Sequence, residues 1–325
     1  MTEESIALSS EILRDYGFKI VYHMMPNLPG SDRDKDIKSF KDLYSGLYHH
    51  PDMMKVYPCM TVRGSMLYKL YTQRKIDYEP YTDNQLIDVL AECEREIKPY
   101  TRLIRVIRDI PADYIIAGSR KSNLRELVDT YQKARGMQQI DIRAREIRDA
   151  EIDVADYELT ETVYETAHGM EYFLQFENKS QNKLAGFLRL RLPKTGLQMQ
   201  GPSLTPLHNE RGTSLETYKN WGLDQWLEKS KEELSQIKSL ETIDDTLAGA
   251  ALVRELHVYG TTKRVGEGGT QSQHTGMGKR LLARAEEIVR EYDFKKVAII
   301  SGVGVRDYYR KRGYTLESTY MVKEI

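Results

Sequence analysis

Three short apolar runs, residues 18–25, 54–57 and 102–107, alternate with segments of helical periodicity, and this alternation constrains the fold more than any other feature of the chain. At such spacing it specifies parallel βα units, whose ligand-facing loops follow the carboxyl ends of the strands, here after Met25, Tyr57 and Ile107. The helices carry their own boundary signals. One over residues 3–16 stops at Gly17, Ser31 or Asp32 can cap another over 36–48, and Thr82-Asp83-Asn84-Gln85 is a capping box that opens a third, to about Ile97. A closed βα barrel takes on the order of 200 residues or more. This rhythm covers about 110 residues and starts on a helix, so an incomplete barrel is expected, with an edge that another segment or chain completes.

Residues 119–149 read as a basic helical bridge. From Arg102 to Arg148 there are eleven Lys or Arg against six acids, in a chain whose net charge is -1. Such a run either attracts phosphate or forms a solvated helix face laced with ion pairs. After Asp149 the pattern turns to antiparallel strands over 170–176 and 184–192, the second alternating as Leu188-Arg189-Leu190-Arg191-Leu192. A polar stretch, 195–246, holds Pro202, Pro206, Trp221, Trp226 and an acidic helical pattern near 227–237, and reads as an insertion. The expected division is 1–118, the carboxyl-terminal part of the barrel; 119–150, the basic linker; and 151–325, a second domain carrying the insertion at about 195–246.

The only cysteines are Cys59 and Cys93, which excludes a disulfide framework and any self-contained site of three or four cysteines. No apolar run approaches the ~18 residues of a membrane span. Met1-Thr2-Glu3-Glu4 opens acidic where a secretory signal opens basic, so a cytoplasmic chain without membrane contact is expected.

The carboxyl-terminal quarter concentrates the chemistry. A β-rich run, 251–260, ends at glycine; Gly266 to Gly269 and Gln273-His274-Thr275-Gly276-Met277-Gly278 follow, then a helix with Leu281, Leu282, Ala285, Ile288 and Val289 on one face. Glycines at 276 and 278 let the backbone approach a ligand closely, and N–H groups at a helix start suit a pyrophosphate. Lys279 and Arg280 add positive charge there. A second unit repeats the order: strand 297–300, the loop Ser301-Gly302-Val303-Gly304, helix 306–311, Gly313-Tyr314 and a last strand toward Tyr320. The glycine turn alone is a weak signal, but the ordered set resembles the GNAT acetyltransferase domain.

The resemblance narrows further. "RELHVYG" (254–260), "QHTGMG" (273–278), "AIISGVGVRDYYRKRGY" (298–314) and "YMVK" (320–323), with "GFKIVYHMMPNLPGSDRDKD" (17–36), "KVYPC" (55–59), "RVIRDIPADYIIAG" (105–118) and "NLREL" (123–127), are together similar to the catalytic subunit of Elongator and its archaeal and bacterial relatives. That resemblance implies an α/β chain in which an incomplete radical-SAM βα barrel is followed by a GNAT acetyltransferase domain. It also implies acetyl-CoA-dependent modification of tRNA, starting a carboxymethyl group on C5 of the wobble uridine, with S-adenosylmethionine and a 4Fe-4S cluster as further cofactors. By the same resemblance Glu255, Leu256, His257 and Val258 line the acetyl-CoA arm, Gln273, Gly276, Met277, Gly278 and Lys279 take the pyrophosphate, and Tyr309, with Tyr308 beside it, contacts the acetyl-CoA. A phenol at that place can donate to the leaving thiolate or the thioester oxygen. Packing beneath the final strand is the alternative for Tyr308. His257 is either a base or a structural histidine, and Lys55, at a strand end, either faces an anionic cosubstrate or is solvated.

The family carries its cluster cysteines before the segment that begins at Gly17, and neither Cys59 nor Cys93 has cluster spacing. The chain is therefore expected to be a carboxyl-terminal part, or one half of a split enzyme whose separate amino-terminal radical-SAM half is a partner. No metal is expected at residues 140–146, where many relatives have cysteines. Two other readings stand: a free-standing GNAT N-acetyltransferase acting on protein lysine or a small amine, and a tRNA-binding or assembly module without chemistry. The intact glycine turn weighs against the last.

Overall fold

The computed structural model describes residues 3–148, 150, 152–194, 245–259 and 276–325. The insertion up to residue 244 and the loop holding Gly266 to Gly269 and Gln273 lie outside them.

The first half is built as α1 (Glu3–Asp15), β1 (Val21–Met24), α2 (Arg33–Asp42), β2 (Met53–Val56), β3 (Thr61–Val62), α3 (Met66–Thr72), α4 (Asp83–Arg95), β4 (Arg102–Arg105), β5 (Ile115–Ala117), α5 (Leu124–Ala134) and α6 (Ile142–Arg145). Local chemistry sets the helix starts. Asp32 accepts from the Lys35 N–H to cap α2, and the reciprocal bonds of the Thr82–Gln85 capping box open α4. β1, β2 and β4 pair in parallel in that order. The strands are shorter than the apolar runs, because pairing gives β1 only four partners; Phe18 and Met25 beyond them are 49% and 47% exposed. One face, with Met54, Val56 and Leu103, packs on Phe40, Leu86, Val89 and Leu90. The other carries Val21, His23, Met53 and Lys55, exposed or half-buried, and is the face a closed barrel would turn inward. Neither α3 nor the antiparallel β3–β5 pair was expected, since two- and three-residue strands leave no period to read.

The segment expected as a bridge belongs to this layer. Leu124 and Val128 of α5 are fully buried, and Gln132 Nε2 donates to the Ala91 carbonyl at 3.1 Å on α4. Its positive charge is largely used inside the fold. Arg102 pairs with Glu146, Arg145 with Glu177, and Arg120, Arg125 and Arg143 donate to the carbonyls of Ile115, Leu103 and Ile104. Of the two readings open for this run, bonding inside the fold accounts for these residues, while Arg108, Lys133 and Arg135 remain exposed.

Glu94 sits in the α4–α5 contact, 7% exposed, accepting from Gln132 and Gln139 at 3.2 and 2.9 Å. Burial there pushes its carboxyl up to about 8. In the unfolded chain it ionises near the ordinary carboxylate value, so stability is full below about pH 4.5 and falls until the folded group ionises, by on the order of 2–4 kcal/mol. Denaturant midpoints measured from pH 5 to pH 8 are expected to decline for the native chain and to decline much less for Glu94→Gln; parallel profiles would contradict this.

The second half forms one sheet of seven strands: β6 (Glu158–Thr166), β7 (Gly169–Asn178), β8 (Lys183–Pro193), β9 (Ala250–Val258), β10 (Lys296–Ile300), β11 (Thr315–Glu317) and β12 (Tyr320–Glu324), in the order β11-β12-β10-β9-β8-β7-β6. Helices α7 (Met277–Glu291) and α8 (Arg306–Arg310) flank β10 in sequence. β6 to β9 are antiparallel, while β9 and β10 run parallel across the α7 connection. The last strand expected toward Tyr320 is a hairpin, with Ser318 at φ 53 in its turn. Leu281, Leu282, Ala285, Ile288 and Val289 of α7 share one core with Leu188, Leu190 and Leu192 of β8.

Candidate active site

The alternating leucines and arginines of β8 divide the sheet into two unlike faces. Arg189 and Arg191 are 1% and 0% exposed, sealed against α1 and the amino ends of β1 and β2. Arg191 binds Asp15, Glu11 and Glu171, and Arg254 binds Glu171 and, through two nitrogens at 2.9 and 2.6 Å, Asp52. Arg189 Nη1 lies 3.2 Å from Asp52, and its Nε donates to Glu255 at 3.0 Å. Burial opposes ionisation of Asp52, yet the guanidiniums of Arg254 and Arg189 hold its carboxyl well below the carboxylate range. Sequence reasoning missed this network. The signal was present: two arginines on one side of a strand whose other side is leucine.

On the same strand pair a gap opens. β9 pairs with β8 as far as Val258↔Gly186, but with β10 only as far as Val253↔Ile299. Between Glu255 and Val253 the β8 register shifts, so Arg254 is the extra residue of a bulge. Beyond it the backbone edge of residues 255–258 that faces β10 has no strand partner among the described residues.

The start of α7 lies at this gap. Gly276 is its N-cap, with no side-chain cap, and the first helical bond is Arg280 N–H to the Gly276 carbonyl. The N–H groups of Met277, Gly278 and Lys279 therefore precede the helical ladder. A Cβ at Gly278 would lie 2.9 Å from Tyr308 Oη and 3.6 Å from Val258 Cγ2, so glycine is what lets strand, helix start and phenol meet. The Tyr308 hydroxyl is buried with no hydrogen-bond partner among the described residues, and burial pushes its pKa up. The Arg312 guanidinium stacks 3.5 Å over its ring.

The remaining candidates separate around this gap. Tyr309, expected as the acetyl-CoA contact, is instead the core-packed ring of the pair: it is 6% exposed, edge-on to Tyr308 and against Tyr314, and burial pushes its pKa up to about 12. Met277 is buried, and Lys279 is exposed. Glu255 turns to Lys19 and Arg189. His257 is exposed, its ring tilted 54° to that of Tyr259 with centroids 4.4 Å apart; partial burial lowers its pKa. Leu256 is half-buried. Lys55 lies in the other sheet, paired with His23 in register, and no contact among the described residues joins it to Tyr308. Gln273 is outside the described residues.

Residues 51–134 match the family described as the Radical_SAM C-terminal domain. The chain is 33% identical to the tRNA uridine(34) acetyltransferase of Methanocaldococcus jannaschii over 99% of its length and 52% of that protein. It is 35% identical to Elongator complex protein 3 of Homo sapiens over 99% of its length and 52% of that protein. The solved structure of archaeal Methanocaldococcus infernus Elp3 with N-terminus deletion (1-46) superposes with a TM-score of 0.76 and 31% identity, covering all of this chain and 67% of that one. The chain belongs to the Elongator complex protein 3 family.

It spans about half the length of the curated family members it matches. The family fold is α/β, and the three parallel strands here are part of its radical-SAM barrel, followed by the acetyltransferase sheet. Cys59 and Cys93 are both buried free thiols, and burial pushes both pKa values up. Among the described residues no three His, Cys, Asp or Glu side chains are gathered as a metal would need. These residues do not fit an iron–sulfur cluster. No helix among the described residues is long and apolar enough to cross a membrane.

Proposed function

We propose that the chain binds acetyl-CoA through a GNAT-type domain, residues 151–325, and acts as the acyltransferase part of a cytoplasmic enzyme that starts the carboxymethyl group at C5 of the wobble uridine of tRNA. The observation that carries this reading is the divergence of β9 from β10 after Val253, closed at one side by Gly278 and Tyr308. The open backbone edge of Glu255, Leu256, His257 and Val258 suits the amides of a pantetheine arm, which hydrogen-bond as a strand does. The uncapped N–H groups of Met277, Gly278 and Lys279, with Gly276 and Gln273 before them, suit the pyrophosphate.

Two features test the fit of acetyl-CoA to these residues. The partnerless Tyr308 hydroxyl is a donor in need of an acceptor, and the space a Cβ would occupy at Gly278 stays clear. Bound there, the thioester is the acyl source. Tyr308 donates toward the thioester oxygen or sulfur, while Tyr309 packs behind it and holds its ring. Lys55, on the barrel face, would meet an anionic part of a cosubstrate. S-adenosylmethionine and the 4Fe-4S cluster belong to the family's radical chemistry; with the thiols here unsuited to a cluster, no step of this chain is routed through them.

Acetyl-CoA hydrolysis by the purified chain, with and without tRNA, tests the proposal. Hydrolysis stimulated by tRNA is expected. Acetyl transfer to a peptide without tRNA would instead make the chain a free-standing N-acetyltransferase, and no acetyl-CoA binding at all would reject both readings.

A further inference from the structure

Positive charge left over after the fold has used its arginines collects where the composition of the basic run does not point. Residues 61–75 contain Arg63, Lys69, Arg74 and Lys75 and no acid. All four are exposed, and among the described residues none has a carboxylate within ion-pair distance. In the 102–148 run, by contrast, five arginines are bound to carboxylates or carbonyls, mostly of the same run, while Arg108, Lys133 and Arg135 are exposed and scattered along it.

The segment is also unusual in its packing. None of the seven residues of α3 is buried. The helix is held instead by local bonds: Ser65 accepts from the Tyr68 N–H, and the Lys75 N–H closes on the Leu70 carbonyl. Arg63 N–H bonds the Tyr114 carbonyl, which ties the start of the segment to the β5 side of the small β3–β5 sheet. Tyr114 is 55% and Met66 68% exposed. Tyr71 lies edge-on, 6.2 Å away, to Tyr78, whose hydroxyl donates to the Asn27 carbonyl at 2.9 Å. Four exposed cations, the exposed Tyr114 and the half-buried Tyr71 thus belong to one locally bonded part of the fold.

We propose that residues 63–75 with Tyr114 form an RNA-docking surface, on which Arg63, Lys69, Arg74 and Lys75 neutralise consecutive phosphates while Tyr114 and Tyr71 offer their faces to unpaired bases. Cations without internal partners release counterions when they meet phosphates, and exposed rings beside them stack on bases irrespective of sequence. An acidic protein partner would use the charge but leave the rings unexplained. The inference rests on the tRNA reading above and deepens it by naming where the RNA backbone lies.

Binding of fluorescently labelled tRNA to the full chain across a salt series tests it, with acetyl-CoA binding as the check on folding. Lys69→Glu/Arg74→Glu/Lys75→Glu is expected to weaken tRNA binding at least tenfold, to reduce the slope of log affinity against log salt by about 2 or more, and to leave acetyl-CoA binding unchanged. Tyr114→Ala is expected to cost about tenfold with the slope unchanged, as loss of one stacked base would. Lys133→Glu/Arg135→Glu, in the basic run, is expected to change affinity less than threefold. If the native chain binds tRNA and the triple variant binds it with the same affinity and slope, the surface is wrong and the tRNA reading stands. If the native chain binds no tRNA, both fail. Equal losses against tRNA and polyglutamate, with Tyr114→Ala silent, would mark a general polyanion surface and overturn the assignment to RNA.

Discussion

Asp52→Ala is expected to destabilise the chain by about 3–5 kcal/mol, the usual cost of removing one partner from a buried ion pair. Asp52 is fully buried and accepts from the Ile20 N–H at 2.8 Å and from both terminal nitrogens of Arg254. It also faces Arg189 at 3.2 Å. Without it, two guanidiniums that water cannot reach lose a counterion, and the amide that opens β1 loses its acceptor. Because ion pairing holds the folded carboxyl below its unfolded value, its contribution is present above about pH 4 and is lost as pH falls further. Asp52→Asn is expected to cost nearly as much, since an amide cannot match the charge. Asp42→Ala, at an exposed pair with Lys38, should cost less than about 0.5 kcal/mol. Denaturant midpoints at pH 7 measure all three; a near-native Asp52→Ala would remove the network as the joint of the two halves. Acetyl-CoA affinity should fall with stability, because Arg254 is the bulge from which residues 255–258 leave β10.

Gly278→Asp is expected to abolish acetyl-CoA binding, a loss of more than a hundredfold by calorimetry, with the fold intact. The new Cβ would lie 2.9 Å from Tyr308 Oη, so the Tyr308 side chain must shift, and the carboxylate would stand among the N–H groups proposed to hold the pyrophosphate. Yet an acid in the first turn of a helix favours the dipole, so the thermal midpoint should hold. Gly278→Ala separates the causes: it keeps the steric conflict without the charge and should bind more weakly than the native chain but better than Gly278→Asp. Affinity of Gly278→Asp within threefold of native would place the pyrophosphate elsewhere.

The parts legible in the sequence were those whose determinants are neighbours in it. Asp32 and Thr82 mark helix starts because a cap bonds an N–H three residues away. The strand ending at Val258 and the helix that starts after Gly276 could be read for the same reason. The weakest readings concerned side-chain direction. Of two adjacent tyrosines, Tyr308 meets Gly278 and Tyr309 enters the core, a difference of about 100° around a helix that residue type alone does not reveal. β3, α3 and β5 escaped notice because they are too short for periodicity and, in α3, bury nothing.

By itself, then, the sequence determined the longer helices, the parallel βα half and the helix start at Gly276, since periodicity and caps act over a few residues. Only the tertiary structure decided which charges matter. Arg254 and Asp52 stand 202 positions apart, and whether an arginine binds solvent, a carbonyl or a distant carboxylate depends on which surfaces the fold brings together. That is why Arg189 and Arg191 became the buried joint, several arginines of the run from Arg102 to Arg148 are bound within the fold, and the acid-free segment from Arg63 to Lys75 keeps four exposed cations.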